Sequence, residues 1–138
     1  VDKSHRELSS LSKIEYIKKV YDWTKTDKDY PKDKTIYELF EEQVDQNPNN
    51  IALVYEDKEL TYKELDERSN QLARYLRSNY AIKPDTLITL CLDRSLEMVI
   101  GILGVMKSGG AYVPIDPNYP KERINYILED NQSEVLIT

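Results

Sequence analysis

The sequence predicts an α/β fold in which parallel strands form a layered sheet with flanking helices. Three observations support this fold class. From Thr35 onward, amphipathic helical stretches alternate with short apolar stretches. Residues 86–92 (TLITLCL) are almost continuously apolar or β-branched, as expected of a strand buried on both faces of a parallel sheet. The intervening helices are long enough to serve as crossover connections between parallel strands.

Length, composition and charge narrow the class of protein. The chain has 138 residues, 40% of them hydrophobic and 32% charged, which is typical of a soluble globular domain. Its net charge of −6 argues against a nucleic-acid partner. The longest apolar stretch, residues 98–106, is far shorter than the roughly 20 residues that span a bilayer. The polar N-terminal residues have no secretory h-region. We therefore expect no membrane segment and a cytoplasmic location.

Residues 1–33 differ in character from the rest and are predicted to contain one amphipathic helix followed by an exposed connector. The apolar face of this helix is formed by Leu11, Ile14, Ile17 and Tyr21. Its N-cap is expected among Ser9, Ser10 and Ser12. A helix of about three turns is marginal by itself, so we expect it to dock on another surface. The connector runs from Asp22 to Tyr30 and ends at Pro31.

Two segments have the Thr-x-x-Glu spacing of a helix capping box, Thr35 to Glu38 and Thr61 to Glu64. The first predicts a helix from Ile36 that ends before Pro48. The second predicts a long helix. The apolar face of the first helix comprises Ile36, Leu39, Phe40 and Val44. The apolar face of the second helix comprises Leu65, Leu72, Leu76 and Tyr80, and Ser69 lies on the same face. Residues 51–55 and a short return at Leu60 are predicted to form a hairpin.

The second half supplies the predicted parallel strands, at residues 86–92, 111–115 and 134–138. A helix apolar on most faces spans residues 95–107 and stops at Gly109 and Gly110. Pro120 is expected in the first turn of the last helix, because proline fits that position. The buried side of this last helix consists of Ile124, Ile127 and Leu128.

The apolar helix contains a segment, residues 101–108, that partly matches a phosphate-binding P-loop. The P-loop pattern needs Gly where Met106 stands, and it needs a strand before the glycines instead of a helix around them. We interpret the match of Lys107 and Ser108 as coincidence. Gly101 and Gly104 are better explained as positions where another element packs closely.

Few residues of the sequence could serve in catalysis or in metal binding. The single cysteine, Cys91, is predicted to be a core residue of its strand, and the single histidine, His5, to be solvated, which leaves no disulfide or zinc site. The acidic pairs at residues 41–42 and 129–130 are predicted on solvent faces, and the eleven tyrosines as half-buried core and rim residues. We predict no catalytic, no cofactor-binding and no metal-binding residue.

Residues 60–65 (LTYKEL) and 105–116 (VMKSGGAYVPID) closely resemble the first two core motifs of adenylation domains of nonribosomal peptide synthetases. Other segments match the family in the same order, at residues 37–40 with Gln43 and Pro48, 67–73, 93–98, and 116–120 with Glu122 and Arg123. Upstream, residues resemble the linker between a condensation and an adenylation domain, at Leu11, Ser12, Trp23, Thr26, Tyr30 and Pro31. Thr24 departs from that linker, which usually has Asn there.

The resemblance implies two regions, an inter-domain linker at residues 1–33 and an N-terminal fragment of an adenylation domain at residues 34–138. The fold is then the first part of the large subdomain of an adenylate-forming enzyme, with a partial sheet. The complete domain is implied to activate an amino acid with Mg²⁺ and ATP to aminoacyl-AMP and to load it on a phosphopantetheine carrier, in antibiotic or siderophore biosynthesis.

The residues that perform this chemistry in the family have no matching position here. The family's Ser/Thr/Gly-rich phosphate loop, its Mg²⁺-binding acid and its second lysine are not found in the sequence. We therefore expect the fragment alone to be inactive. Its expected partners are an upstream condensation domain and, downstream, the remainder of the adenylation domain and a carrier domain.

Two alternatives remain open from the sequence. A stand-alone acid ligase of the aryl-acid or carrier-ligase type has a similar start, although the linker residues Trp23, Tyr30 and Pro31 argue against it. A non-enzymatic docking module is the other. An incomplete parallel sheet exposes a strand edge and an apolar face, so self-association is expected.

Overall fold

The N-terminal unit of the chain is a short helix followed by irregular backbone. A computed structural model describes residues 12–138, which fall into two compact units divided between Asp33 and Lys34. In the first unit, α1 spans Lys13–Ile17 and continues into a π-helical turn, Lys18–Asp22. The predicted helix is thus present, but its second half is wound more loosely. Ser9, Ser10 and Leu11 lie outside the described residues, as does His5.

Ser12 is the N-cap of α1. Its hydroxyl accepts a hydrogen bond from the Glu15 N–H at 3.3 Å, and the Glu15 carboxylate accepts one from the Ser12 N–H at 3.0 Å. At the other end, the Thr24 hydroxyl donates to the carbonyl of Val20 at 2.5 Å. A threonine at this position therefore satisfies a carbonyl that the end of the helix leaves free.

The second unit contains four helices and five strands among its residues. In chain order they are α2 Ile36–Gln46, β1 Ile51–Tyr55, β2 Lys58–Thr61, α3 Tyr62–Asn79, β3 Leu87–Leu90, α4 Leu96–Ser108, β4 Ala111–Pro114, α5 Lys121–Asn131 and β5 Val135–Ile137. Both predicted capping boxes are confirmed, with Thr35 capping α2 and Thr61 capping α3. The mixed α/β fold class is therefore confirmed. None of the helices in residues 12–138 is long and apolar enough to cross a bilayer.

The strands form two separate sheets. β1 and β2 pair antiparallel, which confirms the hairpin. The other three form a parallel sheet of order β4-β3-β5. These three strands are shorter than predicted, because the β3–β4 ladder ends at the pair Leu90 and Pro114 and the β3–β5 ladder ends at the pair Leu90 and Ile137. Cys91 therefore lies just beyond β3, and Ile115 just beyond β4.

The chain leaves the central strand β3 toward β4 and then crosses back to β5. Because right-handed crossovers running in opposite directions place their helices on opposite faces, α4 and α5 are expected on different sides of the sheet. The side chains agree with this alternation. Ile88 and Leu90 pack in one cluster with Val105 of α4, whereas the Thr89 hydroxyl accepts a hydrogen bond from Asn131 of α5 at 3.2 Å.

The core lies on the α4 side, where α3 and α4 pack against the parallel sheet and the hairpin. One buried cluster consists of Leu76, Ile88, Leu90, Val105 and Val135, and the other of Leu60, Leu65, Leu96 and Leu103. A Cβ on Gly104 would lie 2.6 Å from the Leu72 side chain, which confirms close packing there. A Cβ on Gly101 would meet Leu90 at an ordinary 3.4 Å, so that glycine is not required by space.

Candidate functional site

The carboxyl ends of β3 and β4 open into a cavity of about 710 Å³. Open α/β sheets bind their ligands at this edge, where loops leave the strands. The loop after β3 contributes Asp93 and Arg94, and the loop after β4 contributes Asp116 and Asn118. Tyr55 of the hairpin also lines the cavity. This edge is therefore the best candidate site that the described residues offer.

Asp116 organises the loop that borders the cavity. Its carboxylate oxygen Oδ1 accepts hydrogen bonds from the Asn118 backbone N–H at 2.9 Å and side-chain amide at 3.1 Å. Its carbonyl accepts one from the Tyr119 N–H at 3.0 Å. The preceding residue, Ile115, is buried and its N–H donates to the Leu90 carbonyl at 2.8 Å. Asp116 thus holds its own loop in a tight turn, which Ile115 fixes to the central strand.

The cavity is lined by acidic, basic and amide side chains, but these side chains are open to solvent. Asp93, Arg94 and Asp116 are all exposed. Across residues 12–138, no three side chains of His, Cys, Asp and Glu are grouped so that they could hold a metal ion. These side chains can contact a polar partner. Among the described residues that line the cavity, no nucleophile is paired with a base.

The carboxyl groups with lowered pKa values lie at helix starts, and none of them lines the cavity. Hydrogen bonds from the backbone N–H and then the hydroxyl of Thr61 lower the pKa of Glu64, and Thr35 lowers the pKa of Glu38 in the same way. At the start of α4, hydrogen bonds from its own backbone N–H and from Ser95 lower the pKa of Glu97. These shifts mark helix caps, and they do not indicate an acid–base pair.

The residues that partly match a P-loop are occupied elsewhere. Lys107 is buried at the end of α4, where its ammonium binds the carboxylate of Asp66 and lies 3.1 Å from Asn70 Oδ1. The Ser108 hydroxyl donates to the Val105 carbonyl at 2.7 Å. Both residues lie inside a helix, so they do not form a phosphate-binding loop. The interpretation of the match as coincidence is supported.

Two predictions about side-chain environment need correction, those for Cys91 and for the tyrosines. Cys91 is only half-buried and lies just after the end of β3, where its N–H donates to the Ile137 carbonyl at 2.9 Å. Glu41 is exposed, as predicted, and its carboxylate also lies 3.5 Å from the Lys107 ammonium. Nine of the eleven tyrosines are exposed, because they lie on outer helix faces, strand edges and loops.

Sequence reasoning missed the partners of Lys107. The lysine comes at the end of a helix whose other residues are mostly apolar, and a cation in such a helix needs a buried partner. That signal was present in the sequence. The identity of the partner was not, because Asp66 is 41 residues away along the chain.

A second cavity, of about 440 Å³, lies at the opposite edge of the sheet. It is lined by the residues that precede β3, including Lys83 and Thr86, and by Gln132 after α5. The Lys83 N–H donates to the Thr86 hydroxyl at 2.9 Å, so the polar groups here close a turn. Since this is the amino edge of the strands, it is the weaker candidate.

Comparison with known proteins gives a consistent family. Residues 40–138 match the family described as AMP-binding enzyme. Bacitracin synthase 3 of Bacillus licheniformis is 47% identical over 136 residues, which cover 99% of this chain and 2% of that protein. Tyrocidine synthase 3 of Brevibacillus parabrevis is 54% identical over 109 residues, which cover 79% of this chain and 2% of that protein. The chain therefore spans only a few per cent of the length of these relatives.

Solved structures agree with the sequence comparison. The N-terminal subdomain of NpsA from Klebsiella oxytoca superimposes with a TM-score of 0.69 at 32% identity, covering 76% of this chain and 27% of that one. An artificially fused adenylation–PCP di-domain from the same organism gives a TM-score of 0.69, also at 32% identity, and covers 75% of this chain and 19% of that one. The match is to part of a larger subdomain.

Proposed function

The chain belongs to the AMP-binding enzyme family, and we propose on this premise that it forms part of an adenylation domain of a nonribosomal peptide synthetase. The observation that carries the proposal is the 47% identity to bacitracin synthase 3 over 99% of the chain, which includes nearly all of residues 1–33 as well as the folded unit. The likeness to an adenylation-domain subdomain at 32% identity supports it independently.

The proposed activity of the complete domain has two steps. An amino-acid carboxylate oxygen attacks the α-phosphorus of ATP, the bond to the β-phosphate oxygen breaks, and pyrophosphate leaves. The thiol of a phosphopantetheine carrier then attacks the aminoacyl carbonyl, loses its proton and displaces AMP. Such steps require cations and backbone donors directed at phosphate oxygens.

The residues of this chain do not fit a Mg²⁺ or phosphate site. No group of three metal ligands exists within residues 12–138, and the ammonium of Lys107 is already neutralised by Asp66. We therefore derive no step of the reaction through these residues. Their proposed role is to build the sheet and present its carboxyl edge, while the groups that bind ATP and Mg²⁺ are supplied by other parts of the domain.

We propose that residues 1–33 are an inter-domain linker whose helix docks on an upstream condensation domain. Within the described part of this unit, no residue of α1 or of the π-helical turn is buried. Ile14 is 79% exposed and Trp23 62% exposed, which is a large apolar area for so short a segment. A partner surface would remove this area from water. The carrier partner and a cytoplasmic location, where ATP is available, belong to the same proposal.

The alternative is a docking module without enzymatic function, which one observation favours. β4 and β5 are the outer strands of the parallel sheet, and among residues 12–138 no other strand pairs with them. Tyr112 of β4 is 39% exposed and Leu136 of β5 is 46% exposed. Unpaired edges with apolar residues attract further strands, including those of a second copy. An activity measurement on the isolated chain and on a chimera separates the two functions.

An ATP–pyrophosphate exchange assay with a panel of amino acids tests the proposal. The isolated chain is expected to give no exchange, whereas a chimera in which this chain replaces the matching segment of bacitracin synthase 3 is expected to retain exchange. A chimera carrying Gly104→Leu is the matched control and should lose it, because no side chain fits beside Leu72. Exchange by the isolated chain, or an inactive chimera that still folds, would contradict the proposal; the latter would favour the docking module.

A further inference from the structure

A closed ring of polar side chains lies between α3 and α4. The side chain of Lys107 is only 4% exposed, and its ammonium binds the Asp66 carboxylate oxygen Oδ1. The same ammonium lies 3.1 Å from Asn70 Oδ1. The Asn70 amide nitrogen in turn donates to the other Asp66 oxygen, Oδ2, at 2.8 Å. Each of the three side chains therefore contacts the other two.

Helix α2 closes the surroundings of the ring. A Glu41 carboxylate oxygen lies 3.5 Å from the Lys107 nitrogen, and the Phe40 ring centroid lies 5.3 Å from it. The ammonium thus has three oxygen partners, contributed by two helices, and one aromatic face. A buried cation that loses its partners strongly destabilises a fold. The position of Lys107 is consequently much more restricted than that of an apolar side chain.

The ring restricts how α4 lies along α3. Asp66 and Asn70 are one turn apart on α3, so they present two acceptors on one face. A slip of α4 by one turn, about 5.4 Å, would carry the ammonium out of reach of both. Apart from the close approach of Gly104 to Leu72, the apolar contacts between the two helices are not directional and would tolerate such a slip with less loss. The ring therefore distinguishes one register from its neighbours.

The position of α4 along α3 determines the position of β4. Arg77 of α3 donates to the Lys107 carbonyl at 3.2 Å, which fixes the end of α4. Only Gly109, with φ of +91°, and Gly110 separate the helix from the strand. The Ala111 N–H donates to the Thr86 carbonyl at 2.9 Å, where β4 meets the central strand. With so short a connection, a displaced α4 cannot leave β4 in place.

We propose that Lys107 is a positioning residue, whose ring with Asp66 and Asn70 selects the register of α4 on α3 and so places β4 and the Asp116 loop at the carboxyl edge. This role of Lys107 in the fold does not depend on the proposed function. Replacing a buried ion pair by apolar residues is often neutral for stability. The role proposed for this pair is therefore to select one packing of the two helices over others.

The test compares variants of the full 138-residue chain by thermal unfolding and amide hydrogen exchange. The double variant Asp66→Leu/Lys107→Met is expected to keep a Tm close to that of the parent, with exchange of the Ala111 and Ile115 amides about tenfold faster. Leu76→Ala is the control for destabilisation alone. It should lower the Tm and accelerate these two amides only in proportion to the rest of the core.

Unchanged exchange at both amides in the double variant would overturn the proposal. A double variant that fails to fold would overturn it as well, because the ring would then maintain the fold instead of selecting a register. Asn70→Ala opens the ring without removing a charge and should accelerate the same amides to a smaller extent, whereas exposed Gln71→Ala should not. Glu67→Gln, which breaks the exposed pair with Lys63, is the control for loss of an ordinary ion pair and should change neither amide.

Discussion

The two crossover helices of the parallel sheet, α4 and α5, are packed very differently. α4 buries seven of its residues, between the sheet on one side and α3 on the other. α5 buries none, although it connects the two outer strands of the same sheet. Its predicted apolar side, Ile124, Ile127 and Leu128, is only half-buried. One face of the sheet is therefore complete within this chain, and the other is held by few contacts.

The connection on the α5 side is largely polar. The Ser133 hydroxyl accepts a hydrogen bond from the Thr89 N–H at 3.1 Å and lies within hydrogen-bonding distance of the Leu87 and Val135 carbonyls. The Asn131 side chain bonds to Thr89 and to the Ser133 N–H. These bonds fix the start of β5 on the central strand. Stability thus comes from apolar packing on one face and from hydrogen bonds on the other.

Truncating one apolar residue on each side should give the largest contrast. Leu76→Ala on the α4 side removes a fully buried side chain and is expected to lower the free energy of unfolding by about 3 kcal/mol. Ile127→Ala in α5 removes a half-buried one and should cost about 1 kcal/mol or less. Urea denaturation of the two variants measures both values. Equal losses would show that the two faces are packed alike.

The two glycines of α4, on the well-packed side of the sheet, should differ in how their substitution by alanine changes stability. Gly104→Ala places a Cβ 2.6 Å from Leu72 Cδ2 and 2.9 Å from its Cβ, which cannot move freely, so a loss of about 2 kcal/mol is expected. Gly101→Ala meets only ordinary contacts and gains helix propensity, so the chain should be unchanged or up to about 1 kcal/mol more stable. The difference between their denaturation midpoints checks this. A tolerated Gly104→Ala would mean that α3 and α4 can separate at little cost.

The smallest expected effect is on pH dependence, which should separate α2 and α3, whose capping glutamates have lowered pKa values, from α5. The pKa values of Glu38 and Glu64 are lowered from 4.5 by their capping hydrogen bonds, so these groups stabilise the fold above that value and lose the effect as pH falls through the lowered pKa. α5 has no side-chain cap. Amide exchange at decreasing pH should show earlier opening at the starts of α2 and α3, and Glu64→Gln should remove the pH dependence for α3. Equal opening at the start of α5 would contradict this.

Local signals predicted the helices well, because a capping box is complete within four residues. Thr61 and Glu64 meet regardless of what lies elsewhere in the fold. The predicted strands are too long, because a ladder ends where two strands stop pairing, and the strands that pair with β3 are distant from it in the sequence. The partners of Lys107 depend on how α3 and α4 cross. No nearby residue encodes that crossing, so the buried ring was invisible before the fold was known.

The predicted absence of catalytic, cofactor-binding and metal-binding residues stays a prediction, as does the division into linker and adenylation region. The candidate site itself followed from a rule about parallel sheets more than from any motif. Once β3 and β4 are known to be parallel neighbours, the residues that follow them must meet at one edge. The sequence motif that ends at Asp116 reaches that loop, but its tight turn became visible only in the structure.

The strand order β4-β3-β5 has a consequence for the nascent chain during translation. The central strand is the first of the three to leave the ribosome, and each later strand adds to an edge that already exists. Helix α3 precedes β3, and α4 directly follows it, so most of the buried cluster is available before α5 is synthesised. The sheet can therefore grow outward from its central strand while the chain is being synthesised. No strand has to be inserted between two strands that have already paired.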